Sequence, residues 1–231
     1  MTPNAFHSMG ELMVKTDSQL QKDVIDELKW DSATAVCEIG VAAKDGVVTL
    51  SGQVASYAKK LAAEIAAERV AGVRAIAEDL TVRLPSSDER TDTDIAHAAV
   101  NALKWDIDVP DELIKFKCEN GWVTLEGKVR SHFERQATER ALRHLTGVKG
   151  LTNRLMLETP HALPQDVSRK IKAALHRSAE LDASHIDVES FDGRVTLKGT
   201  VRSWAERMDA ERAAWSAPGV TAIDDQLTVT F

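Results

Sequence analysis

The chain has 231 residues, enough for one or two domains of ordinary size or several small ones, and its 43% hydrophobic and 28% charged content excludes a wholly disordered polymer. Twenty-nine Lys and Arg against 36 Asp and Glu leave a net charge of −7, which argues against a dedicated nucleic-acid binder, whose phosphate contacts need clustered cations. Two cysteines, Cys37 and Cys118, exclude a disulfide-dense scaffold and a four-cysteine zinc site.

Residues 1–15 are expected to be a disordered extension, with Met13 an alternative start. They lack the basic flank and continuous apolar core of a secretory signal, so the expected compartment is the cytoplasm. No apolar run approaches the roughly 18 residues of a membrane-spanning helix. Beyond the extension the chain repeats. The segment from Gly46 to Val54, GVVTLSGQV, returns as GWVTLEGKV from Gly121 and as GRVTLKGTV from Gly193, a shared G-x-V-T-L-x-G-x-V. The offsets of 75 and 72 residues also superimpose Gly72, Gly147 and Gly219, and Leu80, Leu155 and Leu227, without gaps. They define units at 16–84, 91–159 and 163–231, joined by linkers at 85–90 and 160–162.

Each unit opens with an i, i+4, i+8 apolar stripe that predicts a helix: Leu20, Val24, Leu28; Ile95, Ala99, Leu103; Val167, Ile171, Leu175. Thr16 with Gln19 and Thr91 with Asp94 have capping-box spacing, and Pro164 suits a first helical position. An alternating run follows (Ile39 and Val41, Ile114 and Phe116, Ile186 and Val188), which predicts a half-buried strand. Asp45-Gly46, Asn120-Gly121 and Asp192-Gly193 then predict tight hairpins, since both central residues need positive φ. In the second strand Gly52, Gly127 and Gly199 share the phase of the buried valines and leucines, which predicts close approach of another backbone at each. A second helix starts at Ser56, Ser131 or Ser203, with Glu134 and Glu206 expected to complete capping boxes, and stops at Gly72, Gly147 or Gly219. A last strand carries Leu80, Leu155 or Leu227. The expected fold is α+β: three tandem αββαβ units, each a small three-stranded mixed sheet with two helices on one face. Their short linkers imply that the units pack on one another.

The repeated hairpin, the Gly-Val after the second helix (Gly72-Val73, Gly147-Val148, Gly219-Val220) and the final apolar strand together resemble the BON family. The resemblance covers all three units. It implies a small α+β module that attaches to phospholipid or envelope components, often in stress tolerance, with no catalytic residue. It also implies a periplasmic alternative for the location, since many relatives are exported, usually with two modules.

No chemical motif competes with that reading. The seven histidines lack histidine counterparts in other units and lack close metal-ligand partners, and no nucleophile elbow, phosphate loop or dinucleotide fingerprint occurs. The chain is therefore expected to be non-enzymatic, without cofactor or metal. Cys118 shares the phase of Ile114 and Phe116 and is expected to be buried. Trp30 and Trp105 occupy one repeat position and are expected to pack in the core or between repeats, with a lipid-facing role the alternative. Charge distinguishes the units. Residues 128–154 hold Lys128, Arg130, Arg135, Arg140, Arg143, Lys149 and Arg154 against Glu134 and Glu139, a local excess absent from 53–79 and 200–226. Lys128, Arg130, Arg135, Arg140, Arg143 and Lys149 are accordingly the candidate contacts to an anionic phospholipid surface, with a protein partner as the rival.

Overall fold

The computed structural model describes residues 15–158, 164–178 and 182–230. The expected disordered extension falls, but for Lys15, outside the described residues, as does the 160–162 linker. Unit one runs α1 (Asp17–Trp30), β1 (Ile39–Lys44), β2 (Val47–Val54), α2 (Tyr57–Glu68) and β3 (Ala75–Val82). Unit two repeats this as α3 (Asp92–Trp105), β4 (Ile114–Glu119), β5 (Trp122–Val129), α4 (His132–Arg143) and β6 (Gly150–Leu157). Unit three repeats it as α5 (Pro164–Arg177), β7 (Ile186–Phe191), β8 (Arg194–Val201), α6 (Trp204–Trp215) and β9 (Ala222–Val229). In each sheet the second strand is central, antiparallel to the first and parallel to the third. The fold class read from the repeat is the one observed.

The predicted stripes bury as expected. Leu20, Val24 and Leu28, with their counterparts in α3 and α5, lie against the inward valines and leucines of the central strands. From the second helices come mostly small side chains, Ala63 and Ala67 in α2, Ala137 and Thr138 in α4, Ala210 and Ala214 in α6, which let helix and sheet approach closely. At the first helices both capping boxes form, Thr16 with Gln19 and Thr91 with Asp94. Asp92, in the first turn of α3, also accepts hydrogen bonds of 2.8 Å from the Asn120 and Gly121 backbone N–H groups, tying helix to hairpin. The boxes expected on α4 and α6 form differently. Ser131 and Ser203 accept from the third helical N–H, but Glu134 and Glu206 reach one residue past the cap, to the N–H of Arg130 (2.7 Å) and Arg202 (2.5 Å).

The hairpin turns have positive φ at both central residues, 52° and 80° at Asp45 and Gly46 with near-identical values in the other units. Gly52, at φ 126°, explains the strand glycine: a Cβ there would lie 2.8 Å from the Glu38 carbonyl oxygen. At Gly127 and Gly199 the matching carbonyls, of Leu113 and His185, are closer still. The neighbour is thus the backbone entering the first strand.

One expectation about aromatic residues needs correction. Trp30 and Trp105 do not pack in the core or between repeats; they are 85% and 88% exposed. Both stand at the last position of a first helix whose buried stripe ends two residues earlier, at Leu28 and Leu103, so the helical period turns them outward. The repeats meet elsewhere. Tyr57, His132 and Trp204 are equivalent first residues of α2, α4 and α6, and Glu68, Arg143 and Trp215 are the equivalent last residues. Tyr57, with Leu61, joins the core of unit two and shares a cleft with Arg143. The His132 ring stacks on Trp215 of unit three, centroids 4.3 Å apart and planes within 8°. The Trp204 indole N–H, buried and not closed to a full hydrogen bond, faces the Glu68 carboxyl of unit one. Each second helix therefore meets the next unit's second helix head to tail, and unit three returns to unit one.

Candidate polyanion-facing surface

The basic stretch of unit two is spread by the fold over several environments. Lys128, on β5, pairs with Glu158 at 2.9 Å. Arg135 is half-buried beside His132, and its carbonyl accepts from Asn153 Nδ2 at 3.5 Å. Arg143 is also half-buried, lines the cleft below Tyr57 and donates from Nε to His144 Nε2 at 3.2 Å. Arg130, Arg140 and Lys149 are exposed and form no ion pair with a described residue. Arg140 lies 5.8 Å over the ring of Phe133, which is itself 55% exposed. The two are seven residues apart on α4 and so share a face, with Arg130 just before its N-terminus. This couples a cation to an exposed ring on one helix surface. Phe133 was not singled out from sequence, although its seven-residue spacing from Arg140 on α4 is the signal that finds it.

Trp30 and Trp105 form a different kind of surface. Near Trp105, Ile107 is almost fully exposed, and near Trp30 so is most of Val36. The charges that follow the two indoles are acidic. Asp106 and Asp108 come after Trp105, and Asp31, paired with Arg69 at 2.7 Å, comes after Trp30. Lys29 and Lys104 precede the indoles in the last helical turn, so each indole is an apolar tip between a cation and a carboxylate, and at Trp30 that carboxylate is already paired.

Cys118 and His132 have strongly shifted pKa values and sit in separate places. Cys118 is half-buried, donates from Sγ to Asp92 Oδ1 at 3.3 Å, and has its pKa pushed up to about 11 by burial and by that carboxylate, so it stays a thiol. Burial, with Arg135 nearby, pulls His132 down to about 4, and the ring is neutral at ordinary pH. Among the described residues no group of three or more His, Cys, Asp or Glu side chains is placed to hold a metal ion, and no helix is long and apolar enough to cross a membrane. The nine repeated glycines, Gly46, Gly52, Gly72, Gly121, Gly127, Gly147, Gly193, Gly199 and Gly219, all have positive φ and serve the backbone.

Three mixed αββαβ modules in tandem, with glycines repeated at matching positions, define a class of small α+β repeat. The chain belongs to the BON domain family, which matches residues 16–83, 91–158 and 165–230. It is 28% identical over 121 residues to osmotically-inducible protein Y of Escherichia coli strain K12, a stretch covering 49% of this chain and 60% of that protein's length. Among solved structures it is similar to the C-terminal domain of CdsD, the structural protein of the type III secretion system of Chlamydia trachomatis, at 12% identity. That likeness covers 94% of this chain and all of that one with a TM-score of 0.26. A second CdsD structure gives 13% identity over 90% and 91% of the two chains at the same score.

Proposed function

We propose that the protein is a non-enzymatic BON protein that binds anionic phospholipid surfaces reversibly through the exposed face of α4, in the setting of osmotic or general stress. Phe133 stacked under Arg140, with Arg130 beside them, carries this reading. A ring that enters the interfacial zone and a cation that stays with the headgroups are the two components of peripheral attachment. Each cation near an anionic leaflet contributes about 1 kcal/mol, and salt screens the attraction. Membership of the BON family and the likeness to an osmotically inducible protein support the setting. Arg143 lines the cleft shared with unit one and Arg135 is half-buried, so Arg130, Arg140 and Lys149 are the cations to test.

The rival is a protein-binding scaffold. The exposed Trp30 and Trp105 favour it, because large exposed indoles suit the centre of a protein interface. Co-sedimentation with vesicles of neutral and of partly anionic composition separates the readings. Wild type should bind the anionic vesicles in a salt-sensitive way, and Arg130→Glu with Arg140→Glu should weaken that binding about tenfold or more. No salt-sensitive binding by wild type favours the protein scaffold, whereas loss on Trp30→Ala with Trp105→Ala instead would move the lipid contact from α4 to the indoles.

A further inference from the structure

Each three-stranded sheet has two free edges, and among the described residues a side chain closes all of these edges but one. On the first strands, Gln21 Nε2 of α1 donates to the Val41 carbonyl at 2.7 Å, and Ser168 Oγ of α5 donates to the Val188 carbonyl at 2.7 Å. On the third strands, Lys60 Nζ donates to the Leu80 carbonyl at 3.0 Å, while Asn153 Oδ1 and Asp225 Oδ1 accept from the Leu155 and Leu227 N–H groups at 3.1 and 2.8 Å. The exception is β4. The helix position of Gln21 and Ser168 is Ala96 in unit two, and Ala96 has no group to offer the matching carbonyl, that of Phe116. Phe116 and Cys118 share the phase of Ile114, whose N–H turns away from β5 to the Asp111 carbonyl, so their backbone groups lie along the open edge.

Charge selects what can occupy that edge. On the solvent face the aligned pairs are Gly40 and Ala42 in β1, Lys115 and Lys117 in β4, and Asp187 and Glu189 in β7. Lys115 forms no ion pair with a described residue, and Lys117 is paired with Glu119 of its own strand at 2.7 Å. On the helix side, Val100 follows Ala96 by one turn of α3 and is exposed. We propose that β4 is the docking edge for an extended segment of another protein that alternates acidic and apolar residues, added as a fourth strand to the sheet of unit two. Its backbone takes the free groups of Phe116 and Cys118, its acids lie beside Lys115 and Lys117, and its apolar side chains lie toward Ala96 and Val100. A second copy of β4 is disfavoured, because an antiparallel pair centred on Phe116 sets Lys115 of each copy against Lys117 of the other. The acidic strand β7 of a second copy does not fit either: Ser168 closes its edge, and Lys172 and Lys198 hold Asp187 and Glu189 at 2.8 and 2.7 Å.

The probe is a fluorescein-labelled peptide of alternating Glu and Val, titrated by anisotropy without vesicles so that the result does not depend on the α4 contact. A peptide of alternating Lys and Val is the control. The expected result is saturable binding of the Glu peptide, about tenfold or more tighter than the Lys peptide, with amide exchange slowed at Phe116 and Cys118. Ala96→Gln, which gives unit two the closure of unit one, should weaken that binding about tenfold or more. Absence of saturable binding overturns the proposal, as does binding that leaves exchange at Phe116 and Cys118 unchanged. Binding to a folded Ala96→Gln equal to wild type overturns it too. Should Ala96→Gln fail to fold by circular dichroism, Lys115→Glu with Lys117→Glu should reverse the preference to the Lys peptide, and an unreversed preference overturns the proposal. A dimer in sedimentation that is lost on Ala96→Gln would place a second copy on the edge and overturn it as well.

Discussion

At the residue scale, the second-strand glycines show how a sequence pattern becomes a steric fact. The phase of Gly127 with Val123, Leu125 and Val129 announces an inward position without a side chain, and the structure supplies the reason in the Leu113 carbonyl that occupies the Cβ site. Positive φ adds a second restriction. Even Gly127→Ala should therefore destabilise unit two, by about 1–3 kcal/mol, because the carbonyl belongs to backbone that cannot rotate away. Urea unfolding followed by circular dichroism checks this, and a midpoint unchanged from wild type would remove the steric explanation. The exposed tryptophans teach the converse. A large apolar residue invites a core assignment, but its position is decided by the turn of the helix, and counting on from Leu28 or Leu103 already points Trp30 and Trp105 outward.

At the element scale, every second helix uses a serine cap, yet its acidic partner does more in one unit than in another. Glu206 is nearly buried and accepts from the backbone N–H groups of Asp182 (3.0 Å) and Arg202 (2.5 Å) as well as from the Arg202 guanidinium. Glu134 accepts from one N–H beyond the cap, that of Arg130. Burial opposes ionisation of Glu206, but these donors outweigh it and hold its pKa below the usual value, so the support it gives is present above the ordinary carboxylate range and is lost as the pH falls through its folded value. Glu206→Ala should cost about 1–3 kcal/mol by leaving two backbone donors unpaired, with Glu134→Ala costing less. Amide exchange at Asp182 and Arg202 reads this locally; unaltered protection at both would show that the carboxylate is dispensable. The serine-to-glutamate spacing in sequence located the helix start. It did not show that the carboxylate reaches past the cap, because that depends on how the preceding strand leaves the sheet.

At the scale of the whole molecule, the repeat was legible because each module must satisfy the same backbone demands, and those recur as identical residues. The contacts between modules were not, because equivalent positions there carry different chemistry: Tyr57 enters an apolar core, His132 stacks on Trp215, Trp204 faces Glu68. Aligned positions with unlike residues are what a closed cycle of three non-identical interfaces requires, since each residue answers to its neighbour and not to its counterpart. The candidate cations divide for the same reason, Arg143 turning to these contacts while Arg130 and Arg140 stay in water. The His132 contact has a pH sense of its own. Its ring is held neutral, with a pKa of about 4, by burial against Trp215 and by Arg135, so the stack is fully stabilising above the free imidazole value near 6.5 and weakens as the pH falls toward 4. The ring is half-exposed, and solvent screening keeps the effect to about 1 kcal/mol. His132→Phe preserves a stacked ring and removes the proton. The gap in melting temperature between variant and wild type should therefore shift in the variant's favour between pH 7 and pH 4.5, and a gap that stays constant would mean that His132 does not titrate against this contact.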